Sequence, residues 1–415
     1  MKKVLNQVLL NPKSRVGANL EQWLSGWGGD GLSIAIDQPG NIISMIKEAG
    51  LPGLGGSGFP TYIKWQAIAD QDSTDKYLIC NGNEDEPGTF KDRILLEETP
   101  FQVIEGATIV ALACNINHVI FYINPHLETC LEEMNNALTQ WLSSDVYKKI
   151  NVPIEYSIIP SNGHYIAGEE TAAIEAIEGK FPFPRGKRIS RPTEAGIHGQ
   201  PTLINNVETL CNVPHILRNG AAWYQQLGIG EASGTKIYSL SGDVLCPGVY
   251  ELPMGTSLED LIFIYGQGML VGKKLKAIFT GGPSNTILTE KDLDVHLDFK
   301  SVSERRSALG TGAMIVVSHG AGIVKRVAQY ADFFASASCG QCPSCKTGTY
   351  FMALLLNKID TGKGSPADLD NLIDLCRILP GSGRCYLLDG AIKLVDSSLY
   401  HFLNEYEHAL HKNPA

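Results

Sequence analysis

The stretch GLGGSGFPTYIKW, Gly53 to Trp65, places four glycines within six residues, then an aromatic, a proline and a lysine. Its first six residues fit G-x-G-x-x-G. In dinucleotide-binding folds that pattern follows a strand, opens a helix and is trailed by an acidic residue about 20 positions later. Here the preceding stretch, NIISMIKEAG (Asn41–Gly50), has the 3.6-residue apolar period, a lysine near its end and a closing glycine, so it reads as a helix. A helix in front of the loop breaks the dinucleotide context. The glycines still let backbone N–H groups line a concave surface for a phosphate or a flat ring. Lys64 would supply a cation to a phosphate, and Phe59 a face for a ring. On the loop alone, a flexible turn is an equal alternative.

Outward from the loop, DKYLIC (Asp75–Cys80), HVIFYI (His118–Ile123) and IEYSII (Ile154–Ile159) read as strands. Helices at Phe101–Cys114 and Leu127–Leu142 alternate with them, which predicts an α/β fold with a parallel sheet. LINNVETLCNVPHILRNG (Leu203–Gly220) reads as a loop that becomes a helix. Residues 1–40 are polar and read as an irregular lead-in, with the glycine-rich SGWGGDG at Ser25–Gly31. The α/β domain then covers 41–233. From Gly234 a strand, turn, strand and helix, with later strands KAIFTGG and AMIVVS, mark a small α+β module over 234–320. The remainder, 321–415, is helical, with segments expected at Val324–Ala335, Thr347–Ile359, Asp368–Leu379, Leu387–Asp396 and Leu399–His411.

The chain has 415 residues, enough for roughly two to four domains. A hydrophobic share of 44% with 19% charged residues is ordinary for a globular enzyme. A net charge of −10 argues against nucleic acid as a partner. No apolar run approaches the roughly 18–20 residues that span a bilayer. The opening MKKVLNQVLLNPKSRV has its apolar part interrupted by Asn6 and Gln7 and is followed by no small-residue cleavage site, so no signal peptide is read. The expected compartment is the cytoplasm, with reduced thiols.

Ten cysteines then need a use other than disulfides. Cys80, Cys114, Cys130, Cys211, Cys246 and Cys376 stand singly and read as small buried apolar residues. SCGQCPSC gives C-x2-C-x2-C at Cys339, Cys342 and Cys345. Three thiolates that close together wrap one corner of an iron–sulfur cubane, and a remote cysteine completes it. Zinc ribbons use two separated C-x2-C pairs, so a [4Fe–4S] cluster is favoured over zinc. The fourth ligand is Cys385 or Cys376. Cys385, in the irregular PGSGRCYLL, is preferred to Cys376, which sits in a helical pattern.

Three further stretches carry chemistry. CNGNEDEPGTFKDR (Cys80–Arg93) follows a strand, where open α/β sheets keep their ligands. It offers Asn81, Asn83, Glu84 and Glu86, or else forms a solvated acidic turn. GHYIAGEETAAIEAIEGK sets Tyr165, Gly168, Glu169 and Glu170 at a helix start, where the dipole favours acids in any case. INNVET offers Asn205, Asn206 and Thr209.

Taken together, over about residues 42–400, these motifs resemble the flavoprotein (51-kDa, F-type) NADH-binding subunit of respiratory complex I. They equally resemble its relatives, the diaphorase or beta subunits of NAD-dependent formate dehydrogenases and hydrogenases. The resemblance implies a Rossmann-like but atypical FMN-binding domain, a β-grasp-like module and a C-terminal four-helix [4Fe–4S] domain. It places Gly53, Gly55, Gly56, Gly58 and Lys64 on the FMN loop and Asn81, Asn83 and Glu84 on the next FMN segment. Glu86 and Phe59 fall at the nicotinamide nucleotide, and Tyr165, Gly168, Glu169 and Glu170 on a shared segment. Asn205, Asn206 and Thr209 match FMN contacts, and Cys339, Cys342, Cys345 and Cys385 the cluster ligands. The implied activity is hydride exchange between NAD(P)H and FMN, then single-electron transfer between FMN and the cluster. No side chain need act as acid or base. The implied partners are a separate thioredoxin-like [2Fe–2S] subunit and larger iron–sulfur or catalytic subunits, with no direct membrane insertion.

Departures bear on the nucleotide. Leu54 and Ser57 replace the family's arginine and alanine, Asn83 an aspartate and Ala167 a cysteine. Ala67 and Arg191 stand where aromatics would sandwich adenine. Arg188 and Arg191 are able to meet a 2′-phosphate, which adds NADP(H) as an alternative donor, or else they stack on adenine or lie in solvent. Two rival readings are a scaffold that keeps both cofactors but no nucleotide, and a zinc-stabilised module for a sugar or cobalamin-like ligand.

Overall fold

The computed structural model describes residues 5–186 and 190–411. The lead-in, expected to be irregular, instead holds two helices, α1 (Leu20–Gly26) and α2 (Asp30–Asp37). Asn19 caps α1 through Gln22 N at 3.0 Å. The buried Glu105 carboxylate accepts from Gly29 N (2.8 Å) and Leu32 N (3.0 Å), so the start of α2 is capped from a distant residue. The glycines of SGWGGDG, read as part of an irregular lead-in, sit at this junction. Trp23, Leu32 and Ala35 are buried in the same core as Phe101, Ile104 and Leu210.

The helix α3 (Ile42–Ala49) ends on Gly50 in the left-handed conformation, φ 70°. After the glycine loop comes α4 (Thr61–Ala69). Both precede β1 (Tyr77–Gly82). Beyond it lie α5 (Lys91–Glu98), α6 (Pro100–Cys114), β2 (His118–Ile123), α7 (Glu128–Ser143), β3 (Glu155–Pro160) and α8 (Glu170–Ile177). INNVET, expected to begin as a loop, forms β4 (Thr202–Asn206), which runs directly into α9 (Val207–Asn219) and α10 (Ala221–Leu227). Its two asparagines hid a strand whose other residues are buried. All pairings are parallel and the order is β3-β2-β1-β4. β1 therefore has β2 on one side and β4 on the other. Its end is a topological switch point, where open sheets leave a crevice.

The second sheet, ordered β6-β5-β8-β7, comprises β5 (Thr235–Gly242), β6 (Gly248–Pro253), β7 (Leu275–Thr280) and β8 (Ala313–Ser318). β5 and β8 are parallel inside, with antiparallel edges, a β-grasp-like arrangement. Short helices α11 (Leu258–Asp260) and α12 (Phe299–Glu304) flank it. Glu251 of β6 accepts from Val8, Leu9 and Leu10 N–H groups at 2.9–3.1 Å and ties the N-terminal segment to this edge.

The helical part holds α13 (Ile323–Ala337), α14 (Pro343–Asp360), α15 (Pro366–Ile378) and α16 (Leu387–Leu410). The last two expected segments are one helix, kinked at Phe402. Ser397 and Ser398 looked like a break, but their hydroxyls bond back to carbonyls of the preceding turn, so the helix continues. Among the described residues, no helix is long and apolar enough to cross a membrane.

Candidate functional site: a glycine-lined cleft beside a four-cysteine cavity

Gly53 N donates to Phe59 O (2.8 Å) and Gly58 N to Gly53 O (3.2 Å), closing the glycine stretch into a tight loop. Thr209 Oγ1 accepts from Leu54 N at 2.9 Å and Asn205 Oδ1 from Trp65 Nε1 at 2.8 Å. These bonds clamp the loop onto β4 and α9. A Cβ on Gly55 would lie 2.9 Å from Asn206 Cβ, and one on Gly58 (φ 67°) 2.5 Å from the Phe299 ring. Only glycine permits this approach.

The loop lines one cavity of about 190 Å³ with Phe59, Lys64, Asn81, Gly168, Glu170 and Asn206. A second, of about 250 Å³, shares Gly55, Asn81, Gly168 and Asn206 with it, so the two form one cleft. Asn81 and Asn206 are register partners at the carboxyl ends of β1 and β4. Lys64 forms an ion pair with Glu170 across the cleft, and Phe59 is exposed. Asn81 Nδ2 donates to Gly168 O (2.9 Å), and Asn83 accepts from Ser161 Oγ (2.5 Å).

The acidic residues divide. Glu84 turns inward and accepts from Asp92 N (2.8 Å) and Arg93 Nε (3.1 Å) at the start of α5. Glu169 caps α8 through Thr171 N and Ala172 N. Glu86 accepts from Tyr165 Oη at 2.5 Å and from Ser284 Oγ, on the second module, at 2.8 Å. Burial of the carboxyl pushes Glu86 up to about 7, against the pull of those two donors. Tyr165 is raised as well, by burial and then by Glu86.

Several lining residues escaped the sequence reading. Lys91 meets Asp92 (2.6 Å), Asn206 (2.7 Å) and Glu208 (3.2 Å). Burial alone would lower its ammonium, but Asp92 and Glu208 hold it raised. Thr311 reaches the cleft from the second module and bonds Thr89 at 2.8 Å. The KDR that follows EPGTF was the only local signal for Lys91. Nothing local marked Thr311 or Ser284. Arg191 is exposed, Ala67 partly buried, and Arg188 lies outside the described residues.

Cys339, Cys342, Cys345 and Cys385 line one small cavity with Gln341 and Arg384. Cys376 is elsewhere, buried in α15. Among the described residues, no three metal-binding side chains converge on a single ion. The thiols instead surround a space, the arrangement a multi-atom cluster needs. Ser338 Oγ lies 3.3 Å from Cys345 Sγ. Burial pushes Cys385 up to about 11. Such thiols ionise only when a cationic group takes them as ligands. Gln341 Oε1 is buried and has no partner. Ile166, Cys385 and Leu387 wall both this cavity and the cleft.

Fold and site thus define a redox subunit in which a flat-ligand cleft backs onto a thiolate cage. The model described as the Nuo51 FMN-binding domain matches residues 46–215, and that described as the NADH-ubiquinone oxidoreductase-F iron-sulfur binding region matches 325–409. The second F-type subunit of NADH-quinone oxidoreductase in Rhizobium meliloti is 39% identical over 373 residues, 89% of this chain and 88% of its own. The F-type subunit of the Salmonella typhimurium NADH-quinone oxidoreductase is 37% identical over 396 residues, 94% of this chain and 89% of its own. The crystal structure of an NAD+-reducing [NiFe]-hydrogenase in the H2-reduced state superposes with a TM-score of 0.86 at 32% identity, covering 95% of this chain and 67% of that one. The chain belongs to the family of F-type subunits of NADH-quinone oxidoreductase. It is an oxidoreductase subunit that binds FMN and a [4Fe–4S] cluster.

Proposed function

We propose that the chain is the electron-entry subunit of a multisubunit NADH:quinone oxidoreductase, taking electrons from NADH and passing them singly to its cluster. The observation that carries this reading is the shared wall of Ile166, Cys385 and Leu387 between cleft and cysteine cavity. Bound there, the flavin supplies the exchange between two-electron and one-electron chemistry.

The protein's own groups bind and orient. Gly53, Gly55, Gly56 and Gly58 present backbone to the flavin, and the Lys64 ammonium, now on Glu170, serves its phosphate. Asn81, Asn83, Asn205, Asn206 and Thr209 complete that seat, with Glu84 and Glu169 fixing the helix starts that frame it. Phe59 and Glu86 face the nicotinamide nucleotide, with Glu86 and Tyr165 sharing a proton at Glu86 Oε2. Cys339, Cys342, Cys345 and Cys385 ligate the cluster. The working units are 41–233, 234–320 and 321–415, with 1–40 leading in. A thioredoxin-like [2Fe–2S] chain and larger iron–sulfur subunits take the electrons onward, on the cytoplasmic face of a membrane complex.

The likeness to the NAD+-reducing hydrogenase supports a second reading, the beta subunit of a soluble hydrogenase or formate dehydrogenase. Ala67 and exposed Arg191 admit NADP(H) as an alternative nucleotide. Anaerobic titration of the purified complex is the test. NADH should bleach the flavin absorbance. Bleaching by NADPH alone moves the nucleotide, and bleaching by neither leaves only a scaffold role. Identifying the co-purifying chains separates the parent complexes.

A further inference from the structure

Gln341 stands between Cys339 and Cys342 and is one of the residues that line the cavity shared by the four cysteines. Its Oε1 is shut away from solvent and meets no donor. A buried amide oxygen left this way is destabilising, and such a group calls for a missing partner. The Ser338 hydroxyl faces Cys345 Sγ at 3.3 Å, and Arg384, which shares the cavity, gives this oxygen no hydrogen bond. A half-turn of the terminal carboxamide exchanges oxygen for nitrogen at the same place. The sulfurs of a thiolate-held cluster are acceptors, so they suit the nitrogen and repel the oxygen.

We propose that Gln341 is a positioning residue for the cluster, donating an amide N–H to one of its sulfurs and raising its reduction potential. The inference rests on the four-cysteine assignment above. The reduced cluster carries one more negative charge than the oxidised one. A donor at sulfur therefore stabilises the reduced form more.

The test uses the whole protein, with iron and sulfide analysis first. Gln341→Leu should keep the cluster content of the parent yet titrate at a more negative midpoint. The expected effect is about a tenfold lower ratio of reduced to oxidised cluster at a fixed potential, about 59 mV for one electron. Gln341→Glu, of the same size but without the donor, should fall at least as far. Pulsed EPR of reduced wild-type protein, isotopically labelled at the glutamine side-chain nitrogen, should show coupling that Gln341→Leu loses. An unchanged midpoint in an assembled Gln341→Leu overturns the proposal. Where that variant does not assemble, the labelled wild-type protein decides, and absence of side-chain coupling overturns the proposal. Wild-type protein that takes up no iron or sulfide overturns the cysteine assignment along with it, and the metal analysis tells the two failures apart.

Discussion

Glu84, Asp85 and Glu86 are consecutive, yet their carboxylates meet three environments. Glu84 accepts the N–H groups that open α5. Asp85 is raised by burial, with His126 and His164 pulling the other way. Glu86 is enclosed by Tyr165 and Ser284, and burial takes it to about 7. A folded value above the ordinary 4.5 means that its contribution to stability is fully present below that pH. That contribution is lost as pH rises through about 7. Glu86→Gln, neutral throughout, should therefore gain in melting temperature relative to the parent between pH 5 and 8, as thermal unfolding across that range would show. Equal pH slopes would refute it. The cysteines allow a sharper residue-scale contrast. Cys385→Ser should lose most of its iron and sulfide. Cys376→Ser, away from the cavity, should keep both, at a cost of about 1–3 kcal/mol for the hydroxyl placed in the core.

The glycine loop is the element whose sequence and structure agree most closely, because its constraint is local. Gly58 has φ 67° and faces the Phe299 ring, so a methyl group is excluded twice over. Gly58→Ala should cost about 1–3 kcal/mol in unfolding by urea and weaken FMN retention about tenfold or more, read by fluorescence of released flavin. A variant that holds flavin as tightly as the parent would sever the loop from the flavin seat. β4 shows the opposite case. Its pattern, TLINN, carries no alternation and ends in two asparagines, because one serves as N-cap of α9 and the other holds Trp65. Polar residues used as clamps erased the strand signal that burial would have written. Ser397 and Ser398 misled in the same way within α16.

At the scale of the molecule, Lys236 joins the parts. It lies on β5, is fully buried and donates to Glu208 Oε2 (2.9 Å) and to Leu54 O of the glycine loop (3.2 Å). Burial lowers its ammonium, opposed by Glu208. Glu208 is also the partner of Lys91, so one carboxylate serves both lysines. Removing Lys236 leaves Glu208 in a dry site with one cation fewer, held by Lys91 and the Ile237 N–H alone. Lys236→Met should destabilise by about 3–5 kcal/mol in chemical denaturation. It should also weaken flavin retention, since Leu54, whose carbonyl it frees, lies between the cleft-lining Gly53 and Gly55. A stable variant with normal flavin content would show that the module merely abuts the cleft. Thr311 reaches the cleft from the same module, where Ser284 holds the cleft-lining Glu86, and Cys385 with Leu387 come from the helical part, so three separated stretches meet at one cleft.

The sequence alone determined the parallel α/β order, the glycine loop outside a Rossmann turn and the cysteine triplet. Each of these is written in spacing, which local backbone geometry and ligand reach enforce over a few residues. Only the tertiary structure decided that Cys385 and not Cys376 lines the cavity of the triplet, that Glu84 and Glu86 part company, that Thr311 lines the cleft, and that Lys236 and Ser284 brace the groups around it. Those outcomes depend on which surfaces pack together and which charges they shut away from water, and no short window of residues records that.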